Sequence, residues 1–220
     1  MAVKRALKTA PYYRAYNAGS GQGGAGAVTH TVTCAPLSTT QRLLMIGNSS
    51  NNSASGAYSS ALSGWTWSTA PDRIGVNDNY PANFFDIGKR NAAAAGTSYT
   101  IYCEANWSNF SIWEFPGLKG EIVDCEDSWN SGVNTLTLTL KNPVPERNLL
   151  AIAIFGQDAG GNGPDSMNQL TPTSGWTAAY VTYNFVVCWL LDPAVGSLPS
   201  VKVNCSSRTS NWVGAIYLLR

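Results

Sequence analysis

Few residues of the types that perform catalysis occur in this chain, and their spacing favours no reaction. His30 is the only histidine, which leaves a catalytic triad or a two-histidine metal site without support. It lies in an alternating stretch, and this predicts a polar, outward-facing strand residue. The glycine-rich run 156–163 lacks the GxxxxGK[ST] spacing of a phosphate-binding loop. We therefore predict that the protein is not an enzyme and that it needs no cofactor.

The carboxylates are concentrated in one short segment, which contains Glu121, Asp124, Glu126 and Asp127. An EF-hand would need a glycine and a glutamate at set positions, and both are missing. A glycosidase acid/base pair could be drawn from any two of these carboxylates, so no pair is selected. The segment is predicted to be a solvated connector. We predict no metal site, and a cation near Asp124 is the alternative left open.

The five cysteines cannot all pair within one chain, and no CxxC spacing suggests zinc or redox chemistry. Cys34, Cys103, Cys188 and Cys205 lie in apolar or alternating runs, which predicts buried free thiols. Cys103 and Cys205 occupy matching positions in the internal repeat described below, so a shared inward position explains both. A disulfide between these two residues is the open alternative.

Aromatic side chains are abundant, with 8 tryptophans and 10 tyrosines. Trp65 and Trp176 follow the same Ser-Gly pair in the two repeat units, which predicts a core or turn-filling role. Trp67, Trp107 and Trp129 have no matching tryptophan in the second unit. Because aromatic rings stack on sugars, these three are the candidate contacts for a host-surface glycan.

An internal repeat organises the chain. Residues 43–47 (LLMIG) and 63–66 (SGWT) return as 149–154 (LLAIAI) and 174–177 (SGWT). The echo continues with Asn-Phe pairs near residues 83 and 184 and with Ser-Asn-aromatic triplets near 108 and 210. Landmarks in the same order with length changes between them indicate duplication with loop insertions.

Strand patterns dominate after the first segment. Residues 28–34 and 133–140 alternate at period two, and helical periodicity is essentially absent beyond the N-terminal segment. We predict an all-β, sandwich or jelly-roll-like body of two related units, preferably one compact body, preceded by an extended N-terminal arm. The predicted boundaries are an arm and glycine-rich hinge over 1–27 and a body over 28–220, divided into unit one (28–118), a connector (119–130) and unit two (131–220).

The N-terminal segment is cationic and aromatic, since no Asp or Glu precedes Asp72. Tyr and Arg are typical anchors of buried interfaces, and the segment is therefore predicted to be an assembly arm that orders against a partner. It lacks the apolar core of a secretion signal, no apolar run could span a bilayer, and a net charge of +1 gives no drive toward nucleic acid or membrane. The predicted arm contacts are Lys4, Arg5, Lys8, Tyr12, Tyr13, Arg14 and Tyr16.

The order of these patterns over residues 28–220 resembles a diverse group of tailed-bacteriophage structural proteins found as minor tail, fibre-associated or head-decoration components. The resemblance rests on the Leu-Leu strand, the Ser-Gly-Trp-Thr turn, the Tyr99-Thr-Ile strand, the closing run 111–118 (SIWEFPGL), their repetition, and the final run 215–220 (AIYLLR). It implies a non-enzymatic virion protein assembled in many copies in a host cytoplasm.

Within that group, a short chain with an arm and one compact body favours a head-decoration protein. Its expected partners are major capsid or tail subunits and other copies of itself. The alternative is a tail-surface protein or a carbohydrate-binding module that contacts host glycans.

Overall fold

A computed structural model describes seven strands between residues 12 and 114, together with residues 118–158, 173–182, 185–204 and 210–220. In the first seven strands it describes the backbone and the Trp113 side chain. Every regular element in this part of the chain is a β-strand, and every pair of neighbouring strands is antiparallel. The prediction of an all-β protein is therefore confirmed.

The strands are numbered in chain order. The first seven are β1 (Tyr12–Tyr16), β2 (Val28–Cys34), β3 (Arg42–Asn51), β4 (Thr66–Thr69), β5 (Ala82–Asn91), β6 (Thr97–Cys103) and β7 (Trp107–Glu114). The second seven are β8 (Ile122–Val133), β9 (Thr135–Thr139), β10 (Leu150–Asp158), β11 (Thr177–Thr182), β12 (Phe185–Leu191), β13 (Ser200–Asn204) and β14 (Ser210–Leu219).

The order of strands in the sheets repeats after seven strands. The first five-stranded sheet has the order β1-β7-β3-β5-β4, and the second has β8-β14-β10-β12-β11. The two-stranded sheets repeat in the same way, as β2-β6 and β9-β13. Below, the two five-stranded sheets are called sheet one and sheet two.

The central strand of sheet two, β10, is buried on both faces, as its nearly continuous apolar sequence predicts. Leu149, Ala151, Ala153 and Phe155 join one hydrophobic cluster with side chains of β9 and β13. β9 and β13 show the alternation of a strand with one buried face, with Leu136 and Leu138 inside and Thr137 and Thr139 outside. The pair β9-β13 therefore covers one face of sheet two.

The other face of sheet two is also buried, and sheet one contributes to its cover. Ile152, Ile154 and Tyr217 on this face are 0% exposed. Trp113 of β7 is likewise 0% exposed, and its ring meets the ring of Trp189 of β12 edge to face, with centroids 5.3 Å apart. This geometry is favourable for aromatic pairs. In addition, β7 contacts β11 and β5 contacts β14.

Backbone hydrogen bonds hold the end of β14 against the residues that precede β8. The Arg220 carbonyl oxygen accepts from the amides of Lys119 (2.9 Å), Gly120 (2.8 Å) and Glu121 (3.3 Å), and the Arg220 amide donates to the Glu121 carbonyl. Gly120 has a φ of 74°, a conformation that glycine adopts without steric cost. Three convergent amides form a cradle for one oxygen.

β1 and β8 lie in segments that the sequence assigned to an arm and to a connector. Residues 12–16 of the predicted arm form β1, and residues 122–133, which include most of the predicted connector, form β8. Neither segment has a clean alternation of apolar and polar residues. Each becomes a strand by pairing with the last strand of its half, β7 or β14. The division of the chain into arm, units and connector stays a prediction.

Candidate functional site

β1 is an edge strand that places four of the seven predicted arm residues. Its register with β7 runs from Tyr12 opposite Glu114 to Tyr16 opposite Phe110. Tyrosine is favoured in strands because its ring packs on a pleated surface. Only β7 neighbours β1 in the sheet order, so its other edge pairs with no described strand. Lys4, Arg5 and Lys8 lie outside the described residues, and the role of all seven as arm contacts stays a prediction.

β8 occupies the corresponding edge of sheet two and is acidic. It pairs with β14 on one side, and no described strand pairs with its other side. Its sequence, IVDCEDSWNSGV, contains three carboxylates and no Lys or Arg. The carboxylates, Asp124, Glu126 and Asp127, are partly exposed. Most of the segment that was predicted to be an acidic connector is therefore a charged edge strand of sheet two.

Asp124 is engaged by a neighbouring turn. Its Oδ2 atom accepts from the Asn142 amide at 3.0 Å, and its Oδ1 atom accepts from Asn142 Nδ2 at 3.2 Å. Both carboxylate oxygens therefore tie β8 to the turn after β9. Among the residues that the structure describes, no group of three or more His, Cys, Asp or Glu side chains could hold a metal ion.

The two described thiols are poor nucleophiles for physical reasons. Cys188 is buried in the cluster between sheet two and β9-β13, and burial raises its pKa to about 12. Cys125 of β8 is partly buried, and its pKa is raised first by burial and then by the charges of Asp124, Glu126 and Asp127. Both are free cysteines. A reactive cysteine needs the opposite environment, which stabilises the thiolate.

The predicted glycan contacts lie on two different sheets. Trp107 begins β7, opposite Ser50, and Trp67 lies on the edge strand β4, opposite Gly88. Three strand spacings of about 4.8 Å separate β7 from β4, so the register does not bring these two tryptophans together. Trp129 lies in β8 of sheet two, opposite Val213. Their role in glycan binding stays a prediction.

The structure also describes some of the other residues that the sequence analysis considered. Trp176 is only 8% exposed and belongs to the hydrophobic cluster, as predicted for a core residue. His30 lies in β2 opposite Ile101. Gly156 is buried in β10, and the part of the glycine-rich run that follows Asp158 lies outside the described residues, as do Trp65 and Cys205.

One end of the second half carries an exposed apolar turn that the sequence analysis missed. Val195 and Leu198 are 52% and 50% exposed, in the turn between β12 and β13. Asp192 anchors this turn, since it accepts from the Asn148 amide at 2.7 Å and pairs with Arg147. The Pro and Gly residues of the run DPAVGSLP indicate a turn, but no sequence pattern marks these two side chains as exposed.

No family model, curated protein or solved structure matches this chain. The described part of the chain contains no helix that could cross a membrane.

Proposed function

We propose that this chain is a non-enzymatic structural protein of a tailed-bacteriophage virion, and specifically a head-decoration protein attached through its N-terminal segment. The observation that carries this proposal is the position of β1. It brings Tyr12, Tyr13, Arg14 and Tyr16 to an edge of sheet one. The basic residues Lys4, Arg5 and Lys8 lie just before that edge in the chain.

An edge strand is a suitable place for attachment. The amides and carbonyls on the outer side of an edge strand form a template on which another chain can add a strand. Tyrosine and arginine supply large contact area and hydrogen bonds at interfaces. The segment that precedes β1 in the chain carries three positive charges before residue 9. We expect this segment to make the first contact with a neighbouring subunit. Many such contacts in one particle would add avidity.

We further propose that the body arose by duplication and forms a sandwich from its two halves. The repeat of the strand order after seven strands supports duplication, because it matches the repeat of the Leu-Leu and Ser-Gly-Trp-Thr landmarks. The cover of sheet two by β9-β13 on one face and by Trp113 on the other supports the layered packing.

Several described polar groups fix turns and strand ends, which supports a structural role. The Asp124 carboxylate accepts hydrogen bonds from Asn142. Asp192 pairs with Arg147 and accepts from the Asn148 amide. Arg220 Nη2 lies 2.6 Å from Glu146 Oε1. Each of these interactions closes a loop or fixes a strand end.

Incorporation into phage particles tests the proposal. A chain that lacks residues 1–11 keeps β1, so the body should fold while incorporation into purified particles falls at least tenfold. Lys4→Glu with Lys8→Glu should also reduce incorporation. The matched control, Lys141→Glu with Lys202→Glu, reverses two exposed lysines of the second half and should incorporate normally.

Separation of heads from tails before mass spectrometry fixes the position in the particle. Recovery with heads supports the decoration role. Recovery with tails would contradict it and favour a tail-surface protein. Normal incorporation without residues 1–11 would refute attachment through the N-terminal segment.

A further inference from the structure

We propose that the outer edge of β8, which pairs with no described strand, is the docking site for the N-terminal segment (residues 1–11) of a second copy of this chain. Copies would then join head to tail, with the basic segment of one against the acidic sheet edge of the next. This inference names the partner of the segment on which the proposed function depends, and it concerns association that occurs without any other virion protein.

The first argument is the charge of the two partners. Residues 1–11 contain Lys4, Arg5 and Lys8 and no carboxylate, whereas β8 contains three carboxylates and no cation. Opposite potentials favour encounter and fix the choice of partner. Acidic residues on an edge also repel a second copy of the same edge. β8 is thereby protected from pairing with itself, while a cationic segment is attracted to it.

The second argument is that no described strand pairs with the outer side of β8 and that its residue Glu126 has a partly exposed carboxylate. The Asp124 carboxylate accepts hydrogen bonds from Asn142. Glu121 lies just before β8, and its Oε2 atom is 3.8 Å from Arg220 Nη1. Glu126 is partly exposed and forms no ion pair with a described cation. The strand is 12 residues long. An extended segment of 11 residues spans about 36 Å, which is close to the length of β8 at about 3.4 Å per residue.

The third argument is that β1 and β8 lie at opposite edges of the packed sheets. β7, the neighbour of β1, contacts β11, which is the far edge of sheet two from β8. β14, the neighbour of β8, contacts β5, which is next to the far edge of sheet one from β1. A donor segment at one edge and an acceptor strand at the other define a heterologous contact. Repetition of such a contact makes a ring or an open chain.

Zero-length cross-linking between isotopically distinct copies tests the contact directly. Protein labelled with ¹⁴N and protein labelled with ¹⁵N are mixed and treated with a carbodiimide, which joins lysine amines to carboxylates in contact. Mass spectrometry should find peptides that join Lys4 or Lys8 of one isotope to Glu126 of the other. Links of this kind within one isotope only would mean that the segment folds back on its own chain and would overturn the proposal.

Sedimentation velocity provides a second, independent measurement. The associated fraction of the full chain should increase as the protein concentration rises. An increase of ionic strength from about 50 mM to about 500 mM should lower the association constant at least tenfold, because both surfaces are charged. Glu126→Lys should weaken it about as much as deletion of residues 1–11. The control, Asn134→Lys with Thr137→Lys, adds the same charge at exposed positions beside β8 and on β9 and should associate normally.

A charge swap keeps the test informative if a single variant folds poorly. Glu126→Lys in one copy combined with Lys4→Glu and Arg5→Glu in the other should restore association. Failure of the swap in folded chains, or association that ignores residues 1–11, would overturn the proposal.

The virion role stands or falls separately from this contact. If Glu126→Lys prevents self-association but leaves the N-terminal segment necessary for incorporation into particles, the segment binds another virion protein. That result would leave the proposed function intact. Self-association in solution without incorporation into particles would refute the proposed function and leave the β8 contact standing.

Discussion

β1 and β8 hold the same position in the two five-stranded sheets and are chemically opposite. Each lies at the edge beside the last strand of its half, β7 or β14. β1 reads YYRAY and follows a basic segment, whereas β8 reads IVDCEDSWNSGV and carries three carboxylates. The difference teaches that the repeated strand order fixes where an edge lies but leaves its side chains free to vary.

The interior of the sheets contrasts with these edges. Ile152 and Tyr217 of sheet two are fully buried, and close-packed interiors tolerate little change in volume or polarity. In β8, by contrast, no described strand pairs with the outer side, and the three carboxylates are partly exposed. The predictions below test how far the two halves depend on each other and how β8 is held.

Loss of Trp113 should have the largest effect. Trp113→Ala removes a fully buried side chain that packs on Trp189, and we expect a loss of about 3–5 kcal/mol in unfolding free energy. Urea denaturation followed by circular dichroism gives this value. Thiol labelling of Cys188, resolved by mass spectrometry, reports opening of sheet two and should accelerate as well.

Trp113→Phe is the control and should cost less, because it keeps an aromatic ring in the site. If Trp113→Ala left Cys188 protection unchanged, the two sheets would not share a core, and the comparison between them would become one of independent domains.

Gly214 tests how closely β9 approaches sheet two. A Cβ atom at this position would lie 2.9 Å from the Ile154 carbonyl oxygen and 2.9 Å from Leu138 Cδ1. Gly214→Ala should therefore cost about 1–3 kcal/mol through overpacking, measured by urea denaturation. Leu138→Ala in the same chain should make the combined loss smaller than the sum of the two single losses, because it clears part of the space.

Gly132 of β8 provides the matched comparison. A Cβ atom there would meet nothing within 4 Å, but φ is 65°, so Gly132→Ala should cost about 1 kcal/mol through backbone conformation alone. This cost should not change with Leu138→Ala. Equal behaviour of the two glycines would contradict the close approach of β9 to β14.

Cys188 should make stability depend on pH above pH 9. Its pKa is raised from 9.0 to about 12 by burial, so the folded chain keeps a proton that the unfolded chain releases. The contribution is complete below pH 9 and is lost as the pH rises toward 12, at about 1.4 kcal/mol per pH unit. Denaturation at several pH values should show a flatter decline for Cys188→Val. An identical slope would contradict burial of this thiol.

The smallest effects concern the carboxylates of β8. Asp124→Ala should cost about 1 kcal/mol, because the turn at Asn142 loses two hydrogen bonds. Glu126→Ala should change the unfolding free energy by less than about 0.5 kcal/mol. Thermal denaturation separates the two outcomes. A large loss for Glu126→Ala would show that this residue is needed for folding, which would weaken the case for β8 as a docking edge.

Most strands were predictable from local pattern. The alternation of 28–34 and the apolar run from Leu149 correspond to β2 and β10, since period-two patterning and long apolar runs reflect burial directly. β8 was not predictable in this way. Its charged sequence gives no clean alternation, and pairing with β14 imposes its conformation.

The candidate site was also only partly predictable from the sequence. The chemistry of the acidic segment and of the basic aromatic segment can be read from the sequence, because residue type and charge are local properties. The placement of β1 and β8 at sheet edges cannot be read from the sequence, since it depends on which strands pair. Likewise, the engagement of Asp124 by Asn142 joins positions 18 apart in the chain.

The sequence by itself determined the all-β class, the period-two strands and the repeated landmarks, because each follows from the burial preference of neighbouring residues. Only the tertiary structure decided that β10 is covered on both faces, that Trp113 packs on Trp189, and that β1 and β8 are edges. The physical reason is that strand pairing and sheet packing join residues far apart in the chain, and no local pattern records which partner each strand will find.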